Sequence, residues 1–105
     1  MINRYYEKKA VILKALAQPT RLRILEMLKE GERCVCEMYP ALGQEQPNIS
    51  KHLNMMKQAG ILDSRKEGLR VIYWIKNPEV LDILRHAEEI LRKEAEENHR
   101  AIQVA

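Results

Sequence analysis

Residues 43–53 read GQEQPNISKHL. A short apolar segment precedes them, a glycine turns the chain, and a helix is expected to begin near Gln46. Ile49, Leu53 and Met56 fall at i, i+4 and i+7, so one face of that helix can be buried. The opposite face presents Asn48, Ser50, Lys51, His52 and Asn54, small polar or basic side chains throughout. Such a set suits the base edges and phosphates of a DNA major groove. Gly60 supplies a stop, so the spacing predicts a recognition helix over 46–59.

Upstream, a short helix over about 36–42 ends at Gly43, and the pair forms a helix-turn-helix over 36–59. Pro19 opens an earlier helix that Gly31 closes, with Leu22, Ile24, Leu25 and Leu28 as its apolar set. Residues 4–17 read as an amphipathic helix whose buried candidates are Tyr6, Leu13, Leu16 and Ala17. Downstream the period changes from helical to alternating. Residues 61–66 and 69–75 are expected to be strands joined by a turn at Glu67-Gly68, with one of Tyr73 and Trp74 packed inward. After Asn77-Pro78, residues 79–98 form a long helix with Val80, Ile83, Leu84, Ala87, Ile90 and Leu91 on one stripe. Met27, Met55 and Met56 are read as core filler. A hairpin placed directly after a helix-turn-helix is a wing. The expected fold is therefore mainly α (α+β), a winged helix-turn-helix of order α-α-α-α-β-β-α, with residues 1–105 as a single domain.

Composition sets bounds on function. Hydrophobic residues make up 46% and charged residues 31%, as in a globular protein. No apolar run approaches the roughly 20 residues that span a bilayer, and the opening MINRYYEKK has no signal-peptide core. A cytoplasmic protein with no membrane partner is expected. The net charge of +3 is uneven. Residues 1–76 carry 14 Lys/Arg against 8 Asp/Glu, and residues 77–105 carry 4 against 7. The basic part contains the helix read as DNA-facing, as an electrostatic footprint on a polyanion requires. Gln46 and Asn48 can pair with adenine, Ser50 with base or phosphate, and Lys51 with phosphate or guanine, with His52 beside them. Arg65, Lys66 and Arg70 flank the wing turn, where they can straddle a backbone. No catalytic triad, phosphate loop or carboxylate pair suggests an enzyme, and a winged helix used for protein contacts alone is the non-DNA alternative.

Cys34 and Cys36 are the only cysteines. Positions i and i+2 differ by about 200° around a helix, so helical geometry points their sulfurs apart. One ion or one disulfide can join them only if the segment is extended or unwound. Pro40 cannot donate to the carbonyl of Cys36, so either the first turn is weakened or the helix starts nearer Pro40. Arg33 and the nearby helix N-terminus would favour a thiolate. Two small buried hydrophobes remain the plainer alternative.

Taken together, these segments resemble the ArsR/SmtB family of winged-helix metalloregulatory repressors. The resemblance rests on ALAQPTRLRILEML at 15–28, ERCVCEM at 32–38, ALGQEQPNISKHLNMMKQAGIL at 41–62 and RKEGLRVIYWI at 65–75. It implies a homodimer that binds a pseudo-palindromic operator on double-stranded DNA and leaves it when an inducer binds. The helices at 4–17 and 79–98 would form the dimer interface. The recognition helices would then meet grooves about 34 Å apart. A Cys-Val-Cys at this place implies sensing of As(III), Sb(III) or another thiophilic ion, with arsenite or a related soft ion the leading inducer and thiol oxidation the alternative. No obligatory cofactor is implied. The chain departs from the arsenic pattern at Tyr39, where a third cysteine is common. The family's second metal site, on the last helix, lacks its first half, because Asp82 is followed by Ile83-Leu84, and His86 with Glu89 alone cannot hold a tetrahedral zinc.

Overall fold

A computed structural model describes residues 2–104, with side chains described for residues 4–100. Eight elements follow in order: α1 (Ile2–Leu16), α2 (Pro19–Leu28), β1 (Arg33–Cys34), α3 (Val35–Ala41), α4 (Gln46–Gln58), β2 (Leu62–Glu67), β3 (Arg70–Ile75) and α5 (Glu79–Val104). The expected order holds, with one addition. β1 pairs antiparallel with β3, Arg33 opposite Tyr73 and Cys34 opposite Ile72, giving a sheet of order β1-β3-β2. Two residues carry no period, so this strand has no signature in the sequence.

The helix-turn-helix is framed by two Schellman motifs. After α3 the Gly43 N–H bonds the Pro40 carbonyl and the Gln44 N–H bonds that of Tyr39 (3.1 and 3.0 Å). After α4 the Gly60 N–H bonds Lys57 and the Ile61 N–H bonds Met56, each at 3.0 Å. Gly60 has φ +84°, a left-handed conformation that favours glycine. Pro40 lies inside α3 rather than at its start. Cys34 and Glu37 cap the first turn of this helix. The wing turn sits one residue later than expected, at Gly68-Leu69, since Glu67 pairs with Arg70. Gly68 alone takes a positive φ there, the pattern of a type II′ hairpin turn.

The core forms where the helices meet the inner face of the sheet. Ile24, Leu25 and Leu28 of α2, Met38 of α3, and Ile49, Leu53 and Met56 of α4 pack with Ile61, Leu62 and Tyr73. Tyr73 is buried and Trp74 is half-exposed, so the inward choice falls on the tyrosine. Several positions expected inside lie outside within the single chain. Tyr6, Leu13 and Ala17 of the first helical stretch are exposed, as are Leu22, Met55, Ile83, Ala87, Ile90 and Leu91. Only the start of α5 joins the core, through Val80, Leu81 and Leu84. The rest of this 26-residue helix extends past it. The radius of gyration is 16.9 Å, against about 13 Å for a compact chain of this length. The amphipathic stripes of α1 and α5 are thus real, but no other described part of the chain covers their outer parts.

Candidate nucleic-acid interface and cysteine pair

Helix α4 starts without a side-chain cap. Glu45 occupies the N-cap position but accepts no bond, and Pro47 follows. Amides in the first turn are therefore left for solvent or an anion. Gln46, Asn48 and Lys51 are exposed and Ser50 is half-buried. Asn48 is not free to swing. It donates to Gln44 Oε1, and Gln44 donates in turn to the buried Thr20 hydroxyl at 2.9 Å. The start of α2 is thereby tied through the turn to α4. Gln46 and Ser50, with Asn54, lie at i, i+4 and i+8 and line a groove of about 390 Å³ facing the wing. Cys34, Cys36, Tyr39, Leu69 and Arg70 line its other walls. Two expected base readers therefore share a groove with the cysteine pair.

His52 points the other way. It is half-buried, and its Nδ1 accepts from Arg21 Nε at 3.1 Å. Arg21 is itself buried and donates through Nη2 to the Met55 sulfur at 2.9 Å. Burial, with the charges of Arg21 and Lys51, holds the His52 imidazole below its ordinary pKa. The histidine thus acts as a neutral acceptor for a buried guanidinium.

The wing cations divide. Lys66 is exposed and, like Lys51 on α4, forms no ion pair among the described residues. Arg65 makes a two-pronged bond to Glu32, both contacts 2.7 Å, and also reaches Glu67 at 3.1 Å. Its guanidinium lies 5.6 Å from the Trp74 ring centre. The bond from Arg65 holds the Glu32 carboxyl below its usual range. Arg70 approaches Glu37 at 3.5 Å. Two of the three expected wing contacts are therefore paired to carboxylates that flank the cysteines.

Cys34 and Cys36 are joined in a disulfide. The requirement for non-helical geometry is met by the junction of strand and helix. Cys34 is extended at the end of β1 and caps α3, while Cys36 lies in the first turn. Cys34 Sγ accepts the Cys36 N–H at 3.1 Å, and Glu37 accepts the Cys34 N–H at 3.3 Å. Cys34 is buried and Cys36 is exposed, so the reading of two buried hydrophobes fails at Cys36. Arg33 is engaged by Glu30 and Glu37, which offsets its pull on a thiolate. Among the described residues no three His, Cys, Asp or Glu side chains converge as a metal cage.

Glu32, Glu37 and Gln44 were not singled out from the sequence. Glu37 could have been, because an acidic residue three positions after a helix cap is the capping-box spacing. Glu32 and Gln44 depend on partners 33 and 24 residues away in the chain, and no local pattern marks them.

Among the described residues, no helix is long and apolar enough to cross a membrane. The profile described as "Bacterial regulatory protein, arsR family" matches residues 18–64. An HTH-type transcriptional regulator of Methanocaldococcus jannaschii is 46% identical over 81% of this chain and 97% of its own length. The arsenical resistance operon repressor of Escherichia coli is 48% identical over 59% of this chain and 54% of its own length. The solution structure of a homodimeric winged helix-turn-helix DNA-binding domain from Mycobacterium bovis superposes with a TM-score of 0.79. It is 30% identical and covers 90% of this chain and 87% of that one.

Proposed function

The chain belongs to the arsR family of bacterial regulatory proteins, and from that premise we propose a homodimeric repressor that leaves its operator when Cys34 and Cys36 are joined. The family membership makes it a winged helix-turn-helix transcriptional regulator and not an enzyme. Two copies pack through the exposed stripes of α1 and α5, so that the paired α4 helices enter successive major grooves of a pseudo-palindromic site. Gln46, Asn48 and Ser50 read bases, Lys51 and the open first turn of α4 hold phosphate, and the wing lies on the backbone with Lys66 and its arginines.

The observation that carries the regulatory half is the position of the cysteine pair. It lies at the cap of the supporting helix and shares a groove with Gln46 and Ser50. A change of covalent state there acts on the reading surface directly. Oxidation suits this geometry best, because the two sulfurs already lie within bonding reach and, among the described residues, no third ligand converges on them. The two thiols lose two protons and two electrons to the oxidant, and one S–S bond forms. A second reading, bridging by arsenite or another soft ion, is supported by the name of the Escherichia coli relative and by the affinity of thiolates for such ions.

The test is operator affinity at fixed salt, using duplex from the chain's own upstream region. Reduced protein is compared with protein treated with diamide, and separately with arsenite. Affinity should fall by about 5–150-fold on joining the cysteines, the usual range for coupled sites. Diamide alone being effective selects oxidation, and arsenite being effective on reduced protein selects the ion. A Cys34→Ser, Cys36→Ser variant that responds as the native chain does would remove the cysteines from the mechanism.

A further inference from the structure

Glu37 stands where the cysteine cap meets the wing. Its carboxylate takes the Cys34 N–H at 3.3 Å, Arg70 at 3.5 Å and Arg33 at 3.8 Å. It directly follows Cys36 in the chain. Arg70 opposes Glu67 at the last pair of the hairpin, so Glu37 reaches the tip of the wing from the base of α3. We propose that Glu37 is a positioning residue that withdraws Arg70 from the operator backbone when the cysteines are bonded, which rests on the reading of Cys34 and Cys36 given above.

The argument follows from which end of the pair can move. Cys34 is buried and held on β3 opposite Ile72. Cys36 is exposed, on the first turn of a helix whose backbone ladder lacks the Pro40 donor. Reduction adds two electrons and two protons, and the unbonded sulfurs must part to van der Waals contact, roughly 3.5–4 Å. With Cys34 fixed in the sheet, the displacement falls on Cys36 and on Glu37 beside it. The cap bond and the Arg70 contact, already long at 3.5 Å, then loosen together. Arg70 becomes free for a phosphate. In the bonded state the same guanidinium faces a carboxylate, and bringing a phosphate beside that carboxylate adds like-charge repulsion.

Glu32 provides an internal comparison. It also pairs with a wing arginine, Arg65, but precedes β1 on the far side of the Arg33–Tyr73 and Cys34–Ile72 pairs. The sheet anchors lie between it and the sulfur bond, so its clamp is independent of the thiol state.

The experiment measures operator affinity against salt for dithiothreitol-reduced and diamide-oxidised protein, in the native chain, E37Q, E32Q and R70Q. Glutamine keeps an acceptor for the Cys34 N–H and removes the charge. Disulfide-form E37Q should bind about eightfold more tightly per protomer than native disulfide form near 0.1 M salt, with a salt slope steeper by about 0.9 per protomer, one phosphate contact regained. The reduced forms of the two should agree. E32Q should bind more tightly in both states and keep the native ratio between them. R70Q should be weak in both states with the ratio diminished, which tests the contact even if E37Q does not fold. E37Q and R70Q that both keep the native ratio overturn the role of Glu37 and leave the cysteine switch standing. A native chain with equal affinity in both thiol states overturns both.

Discussion

At the scale of single residues, the least expected contact is the buried Arg21, held by His52 Nδ1 and the Met55 sulfur. It lies three, four and seven residues before Ile24, Leu25 and Leu28, on the buried face of α2, yet nothing nearby in the chain announces a partner 31 residues on. The consequence for pH has a definite sign. Because the folded His52 pKa lies below 6.5, the unfolded chain takes up the proton first as pH falls. The stabilisation is intact above about pH 6.5 and is lost as pH drops through the lower folded value. A His52→Asn variant keeps an acceptor but does not titrate. Melting temperatures measured from pH 7.5 to 5.5 should therefore fall further for the native chain than for this variant, and parallel curves would contradict the assignment. The exposed face of α4 separates charge from identity. Lys51→Ala should weaken binding to every sequence and reduce the salt slope by about 1 per protomer. Gln46→Ala should lose about 1–3 kcal/mol of discrimination at one base pair. Equal loss on operator and random duplex would show that Gln46 reads no base.

At the scale of elements, the helices and the hairpin were legible from their periods and punctuation: Gly31, Gly43 and Gly60 stop α2, α3 and α4, and Pro19 and Asn77-Pro78 bound the rest. Ile49, Leu53 and Met56 sit where the spacing puts them, and Gly43 and Gly60 end their helices as expected. β1 was not legible, since its two residues are a strand only because β3 offers them a free edge. The geometry of the cysteines was half legible. The need to leave the helix follows from their spacing, whereas the capping role of Cys34 required that strand. The set expected to face DNA could be chosen by residue type but its directions could not be read, because α4 turns His52 to α2 and Gln46 with Ser50 to the wing. The stop at Gly60 can be checked on stability. Its φ is +84°, and a Cβ there would meet only the Asn77 amide at 3.9 Å. Gly60→Ala thus suffers backbone strain without a clash, a loss of about 1–2 kcal/mol that a urea titration would detect as a lower midpoint at unchanged slope. An unchanged midpoint would mean that the turn can be made without the left-handed residue.

At the scale of the molecule, the exposed stripes set the terms of assembly. Ile83, Ile90 and Leu91 on α5, and Tyr5, Val11, Ile12 and Leu13 on α1, are exposed in the single chain. Such a surface on a small protein marks an interface. Placing two carboxylates on it, as Ile90→Glu with Leu91→Glu, should convert a sedimenting dimer to monomer and abolish tight operator binding while leaving nonspecific binding measurable. A double variant that still sediments as a dimer would move the interface elsewhere. In the proposed dimer, the unmatched length of α5 also makes dilution a denaturing condition. A helix whose outer turns are covered only by a twin borrows its persistence from the twin's abundance, so melting curves should shift downward with each serial dilution of the pure protein. In a cell, the number of copies then governs how much folded repressor exists as well as how much DNA is occupied.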